Sequence, residues 1–184
     1  MIDSKKKSVM NFITRERVYR FSNECSESAL AKFLYSYFPK RVVDSILASF
    51  EVRIDTRCCY KGYYATVLVF KSKDGKIRDV KMTLFNPDTG MIVRDGDGDA
   101  LIQHTQKQNS HVEYESWPWG DKSYSLAKEL SKGYDLKKQP TLFGMQKINR
   151  AKRIGVVTSA VDAVVMSIID PHCTWLATGH EGKF

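Results

Sequence analysis

The stretch that most restricts the fold lies near the C-terminus. The run Arg153-Ile-Gly-Val-Val-Thr-Ser-Ala-Val-Asp-Ala-Val-Val-Met-Ser167 reads as a buried strand feeding a helix. Cys173-Thr-Trp-Leu-Ala-Thr-Gly179 reads as a second strand ending in a tight turn. Strand, helix and strand in this order make a β-α-β unit, which commits this part of the chain to parallel pairing.

The preceding sequence follows other periods. Ser26 is a plausible N-cap for a helix whose apolar residues Leu30, Phe33, Leu34, Tyr37 and Phe38 fall on one face. Pro39 suits the first turn of a second helix, with Val42, Val43, Ile46 and Leu47 as its apolar stripe. After Phe50 the period drops to two. Tyr63 to Lys71 is rich in aromatic and β-branched residues, Lys73-Asp-Gly-Lys76 is a turn, and Ile77 to Phe85 returns with Val80, Met82 and Leu84 on one face. Asn86-Pro-Asp-Thr-Gly90 turns the chain again into Met91 to Val93. The expectation is an antiparallel meander of three strands, or four with Glu51 to Ile54. Lys122 to Lys132, with Leu126 and Leu130 at helical spacing and Gly133 as a stop, reads as a short amphipathic helix.

The 184 residues carry a formal charge of +8 and are 42% hydrophobic, enough apolar content for a packed core and a balance that favours an acidic partner such as nucleic acid. The charge is unevenly spread. Between Leu136 and Val161 stand Lys137, Lys138, Lys147, Arg150, Lys152 and Arg153 with no acidic residue. Lys71, Lys73, Lys76, Arg78 and Lys81 cluster on the hairpin near Tyr60, Tyr63 and Tyr64, rings able to stack on single-stranded bases. Strand tyrosines are equally the material of cores, and hairpin lysines protect edges, so this pattern admits both readings. Residues 1–18 are basic and weakly patterned and read as a mobile arm. No apolar run approaches the roughly 18 residues of a membrane span, and the stretch after Lys5-Lys6-Lys7 is too short for a signal peptide. A cytoplasmic protein with no membrane contact is expected.

Metal and cofactor sites are not expected. Cys58 and Cys59 are adjacent, Cys25 and Cys173 stand alone, and the spacing of His172, Cys173 and His180 matches no common zinc site. Asp95, Asp97 and Asp99 alternate like the first half of a calcium loop, but Gln106 occupies the place of its closing Glu, which favours a solvated loop. Trp117-Pro-Trp119-Gly120 reads either as an exposed anchor for a protein partner or, the favoured reading, as a seal between subdomains.

With Pro140-Thr-Leu-Phe-Gly144 ahead of it, the β-α-β segment resembles the start of the toprim (topoisomerase-primase) fold in primase-like proteins of bacterial mobile elements and phages. The helix pair, the aromatic strand, Lys73-Asp-Gly-Lys-Ile-Arg-Asp-Val-Lys-Met82 and Asn86-Pro-Asp-Thr-Gly90 are similar, in that order, to the domain preceding toprim in those proteins. The resemblance covers about residues 19 to 182. It implies a catalytic Glu where Val157-Thr-Ser-Ala-Val-Asp-Ala163 has Thr158, in a family pattern Val-Glu-Ser-Glu-Lys-Thr-Ala. Toprim enzymes use that Glu and a later Asp-x-Asp pair for Mg²⁺ and proton handling, roles a hydroxyl fills poorly. The chain also ends before the strand where the Asp-x-Asp pair belongs, and it has neither the length nor the cysteines for the zinc-finger module often found ahead of this domain.

The expected fold is therefore α+β: a basic arm (1–18), a domain of helical hairpin and antiparallel meander (19–135), and a partial, degenerate toprim-like unit (136–184). The expected function is non-catalytic nucleic-acid binding, DNA more than RNA, by Lys137, Lys138, Lys147, Arg150, Lys152, Arg153, Lys73, Lys76, Arg78 and Tyr63. Thr158 and Ser159 mark the degenerate site. Two alternatives stand: a protein-interaction module that occupies a host replication or defence protein, with Trp117 and Trp119 as contacts, or nucleotide binding at the turn from Thr158 to Ala160.

Overall fold

The computed structural model of the chain describes residues 9–93, 101–104, 113–116, 124–125, 130, 134–136, 140–148 and 153–179. Strand β1 (Val9–Met10) and helix α1 (Arg15–Val18) precede a 3₁₀ turn at Cys25–Glu27, then helices α2 (Ala29–Tyr35) and α3 (Lys40–Ser49). Strands β2 (Arg53–Tyr60), β3 (Tyr63–Lys71), β4 (Ile77–Thr83), β5 (Leu101–His104), β6 (Glu113–Ser116), β7 (Tyr124–Ser125) and β8 (Asp135–Leu136) follow. A second 3₁₀ turn (Met145–Lys147) leads to β9 (Arg153–Val157), α4 (Ala160–Ile169) and β10 (Cys173–Ala177). The class is α+β, as the sequence predicts.

Strands β2, β3 and β4 form the antiparallel centre of a sheet ordered β6-β5-β2-β3-β4-β7. Alternation along β3 divides the core. Leu68 and Phe70 face α2, α3 and α4, joining Leu30, Leu34, Val43, Leu47, Phe50, Ala163 and Val164. Val67 and Val69 face the opposite side, with Val80, Met82 and Leu84 of the returning chain, Ile13, Val18 and Phe21. A strand covered on both faces has no need of polar alternation, hence the consecutive apolar residues Val67 to Phe70 in β3. The hairpin closes through the Ser72 N–H on the Lys76 carbonyl (2.9 Å), with Gly75 at φ +77, where a Cβ is disfavoured.

The helix pair forms where the spacing predicts, with its start displaced. The cap is Ser28, not Ser26: its hydroxyl accepts the Ala31 N–H at 3.0 Å, and Cys25–Glu27 is taken up by the 3₁₀ turn. Pro39 is the residue before α3 and not its first turn. Tyr37 departs from the predicted stripe and is 67% exposed because α2 ends at Tyr35, turning that ring outward. Of the α3 stripe, Val43 and Leu47 are buried, Ile46 is half-buried and Val42 is exposed.

The β-α-β unit is present. Strands β9 and β10 pair in parallel from Arg153–Cys173 to Val157–Ala177, and Ser159 caps α4 by accepting the Val161 N–H at 3.1 Å. Phe143 fastens the unit to the rest: it bridges to Ala177, stacks on Phe50 (4.9 Å, 6° between planes) and tilts against Phe70 at 5.4 Å. The expectation that β9 is buried does not hold. Ile154 and Val156 are 51% and 52% exposed, since α4 covers only one face of a two-stranded sheet.

Two further expectations change. The described part of the presumed arm is integrated: Ile13 bridges to Ile77 and is buried with Val18 under the sheet, and β1 pairs in parallel with β8. The helix read over Lys122 to Lys132 gives way at its start to β7, whose Tyr124 and Ser125 pair with Met82 and Lys81; Leu130 is helical and buried. Its spacing also suits a strand added to β4, and pairing with the open β4 edge decides. The strand expected at 91–93 is reduced to a single bridge, Phe85–Ile92.

Candidate nucleic-acid interface

The strand ends of the β-α-β unit come first, because parallel sheets gather ligands at their C-terminal edge. Thr158 stands on the surface there. Its carbonyl accepts the Gly179 N–H at 3.0 Å and the Thr178 hydroxyl at 3.3 Å, which ties the end of β9 to the end of β10. From the sheet, the buried Lys81 ammonium donates to the Gly179 carbonyl at 2.9 Å and lies 5.3 Å from the Phe70 ring centre. Ser159 is occupied as the α4 cap. Thr158 and Ser159 offer hydroxyls and no carboxylate, a set with little affinity for Mg²⁺.

The predicted basic residues divide. Arg153 is 80% exposed and makes a long ion pair of 3.9 Å to Asp170, the kind of surface pair that holds little energy. Lys147 lies over the Phe50 ring at 3.4 Å and donates to the Ser49 hydroxyl at 2.9 Å. On the hairpin, Lys73 is exposed, whereas its neighbours are engaged. Lys76 pairs with Asp74 at 3.0 Å, and the Ser72 hydroxyl together with Lys76 holds the Asp74 carboxyl down to about 2. Arg78 donates to the Asn11 carbonyl at 2.6 Å, fastening the N-terminal segment to the hairpin. Lys71 and Lys81 are buried, Lys71 paired with Glu51. Tyr63 is half-buried against the helix-side core, so the core reading holds for much of its ring. Lys137, Lys138, Arg150, Lys152, Trp117, Trp119 and the Asp95–Asp99 loop lie outside the described residues.

A second basic cluster goes unread in the sequence. Between the pairs Asp55–Ala65 and Cys59–Tyr64, β2 advances four residues while β3 advances one, a bulge that places Thr56 and Arg57 together on the surface. Arg20, Phe21, Ile54, Asp55, Thr56 and Arg57 line a half-open cleft of about 210 Å³ there. Asp55, 2% exposed, accepts Arg57 Nε at 2.9 Å, Nη2 at 2.7 Å and the Arg57 backbone N–H at 3.0 Å. Arg20 and Arg57 lie 4.9 and 6.0 Å from the Phe21 ring centre, and Arg53 lies 4.3 Å from that of Tyr19 while donating to the Phe21 carbonyl at 2.9 Å. The signal was available as period-two charge, Arg53-x-Asp55-x-Arg57, but the bulge that gathers it was not.

Among the described residues no group of three His, Cys, Asp or Glu stands close enough to hold a metal ion. None of the described helices is long and apolar enough to cross a membrane. No curated protein and no solved structure matches the chain. A family model described as a domain of unknown function, DUF6371, matches residues 28–184, from the cap of α2 through the β-α-β unit, and the chain belongs to that family.

Proposed function

We propose that the protein binds nucleic acid without processing it, as a derivative of the primase-like replication or mobilisation proteins of a mobile element or phage. The observation that carries this reading is the acid-free run from Leu136 to Val161, whose six cations lead into the β-α-β unit and whose Arg153 projects 80% exposed. Phosphate contact needs clustered cations, and this run carries six with no acidic residue among them. The absence of catalysis is supported by Thr158, which gives the strand end a hydroxyl where the toprim resemblance calls for Glu.

The test is fluorescence anisotropy of labelled single- and double-stranded DNA and RNA against the purified protein, across a salt series with and without Mg²⁺. Binding with log K falling linearly in log salt, at about 0.7 to 0.9 per phosphate contacted, supports the reading, with DNA preferred. Mg²⁺-dependent cleavage or primer synthesis contradicts its non-catalytic half. A protein-interaction module that occupies a host replication or defence protein is the second reading, favoured by the exposed Ile154 and Val156 on β9. It predicts that Val156→Asp abolishes partner capture while Arg153→Glu leaves it intact.

A further inference from the structure

We infer that the ring of Tyr37, at the turn between α2 and α3, is a stacking platform for a base of single-stranded nucleic acid. This deepens the nucleic-acid reading and rests on it, although it uses none of the residues between Leu136 and Val161. The ring is 67% exposed, yet it is supported. Phe33 lies 5.1 Å away between ring centres, tilted by 60°, and is itself packed on the helix-side core. On its other flank Phe33 meets the Asn86–Gly90 turn so closely that a Cβ at Gly90 would come within 2.5 Å of the ring. Gly90, at φ +67, admits that approach. A tilted partner steadies Tyr37 while leaving two-thirds of it open to a second ring.

Charge selects the ligand. From Ala29 to Ser49 the helix pair carries Lys32, Lys40 and Arg41 against one acidic residue, Asp44. The Tyr35 hydroxyl donates to the Asp44 carboxylate, and Lys40 lies 5.1 Å from the Tyr35 ring centre. All three cations are exposed, and among the described residues neither Lys32 nor Arg41 makes an ion pair. The other acidic residues of this region are distant or paired: Glu24 and Glu27 stand at the opposite end of α2, and Asp88, on the turn with Gly90, is held by Lys61 at 2.7 Å. Lys40 and Arg41 follow Tyr37 by three and four residues, within reach of the phosphates flanking a stacked base. An aromatic face beside cations is the chemistry that holds single strands without reading their sequence. A duplex keeps its bases stacked on one another and offers the ring only backbone. The centre of a protein interface is depleted in charge, which disfavours that partner for a ring set among three cations.

The test is fluorescence anisotropy with wild type, Tyr37→Phe and Tyr37→Ala on labelled oligodeoxythymidine, oligouridine, an abasic deoxyribose-phosphate strand and a duplex of equal length. Tyr37 is exposed, so both variants fold, which matched melting curves check. Tyr37→Ala should weaken binding of the base-bearing single strands roughly tenfold with the salt slope unchanged, and Tyr37→Phe should stay within about twofold of wild type. The abasic strand and the duplex should not distinguish the three proteins. Whichever of oligodeoxythymidine and oligouridine shows the larger loss identifies the strand as DNA or RNA. Equal affinity of all three proteins for single strands that wild type binds overturns this inference and leaves the wider nucleic-acid reading standing. A loss in Tyr37→Ala as large on the abasic strand also overturns it, since a missing base leaves nothing to stack. No binding of any strand by wild type at low salt overturns both readings, and capture of a protein through Tyr37 in that case assigns the ring to the rival one.

Discussion

Strands β3 and β9 are both apolar and β-branched, yet they live in different surroundings. In β3, Ala65 through Lys71 are all buried, because helices cover one face of the sheet and the N-terminal segment, through Ile13, Val18 and Phe21, covers the other. In β9 only the face toward α4 is covered, and Ile154 and Val156 look outward. The contrast shows that an apolar run reports what a strand can bury and not what the rest of the chain brings to it. It also places tolerance: the sheet and its junction with the β-α-β unit concentrate the stability, while the outer face of β9 is open to change or to a partner.

Breaking the junction should have the largest effect. Phe143 is fully buried between Phe50, Phe70 and Ala177, so Phe143→Ala should cost about 3–5 kcal/mol in urea unfolding. Next comes the inner face of β9. A Cβ on Gly155 would lie 2.5 Å from the Trp175 ring, so Gly155→Val should cost about 1–3 kcal/mol through displacement of that ring, visible as altered Trp fluorescence. One residue away, Ile154→Thr on the outer face should stay within about 0.5 kcal/mol of wild type. A destabilisation from Ile154→Thr as large as that from Phe143→Ala would abolish the distinction between the two strands.

The smallest effect is chemical. Cys25 is buried under the helix-side core, its thiol donating to the Val52 carbonyl at 2.7 Å, and burial pushes it up to about 11. Cys59 and Cys173 are half-exposed. At pH 8, mass spectrometry after brief iodoacetamide treatment should find Cys59 and Cys173 labelled well before Cys25, because alkylation needs an accessible thiolate. Equal labelling would mean that the helix-side core opens readily.

Local signals were legible in the sequence. Tyr63 to Lys71 is bounded by Gly62 and the Ser72–Lys76 turn, and β3 spans those nine residues. The β-α-β unit followed from an apolar run feeding a helix and a second run ending in a tight turn. What the sequence withheld was long-range. Nothing around Ile13 tells that it will cross to Ile77, nor around Tyr124 that β4 offers an open edge to it. Ser26 and Ser28 are both capable caps, and only the 3₁₀ turn at Cys25–Glu27 selects the second. For the candidate site, clusters of Lys and Arg were countable, but their occupation was not: Lys76 is taken by Asp74 and Arg78 by the Asn11 carbonyl, while Arg57 is brought to the surface near Phe21 by a bulge that has no local signature.

The most direct test of the central claim is the salt dependence of single-stranded DNA binding in wild type and in the Lys147→Glu, Arg153→Glu double variant. The account predicts that wild type binds with a steep salt slope. It also predicts that the double variant binds more weakly on every base sequence, with a slope shallower by about 0.7 for each phosphate no longer neutralised. Binding by the double variant equal to that of wild type, or no salt-sensitive binding by either, would contradict it.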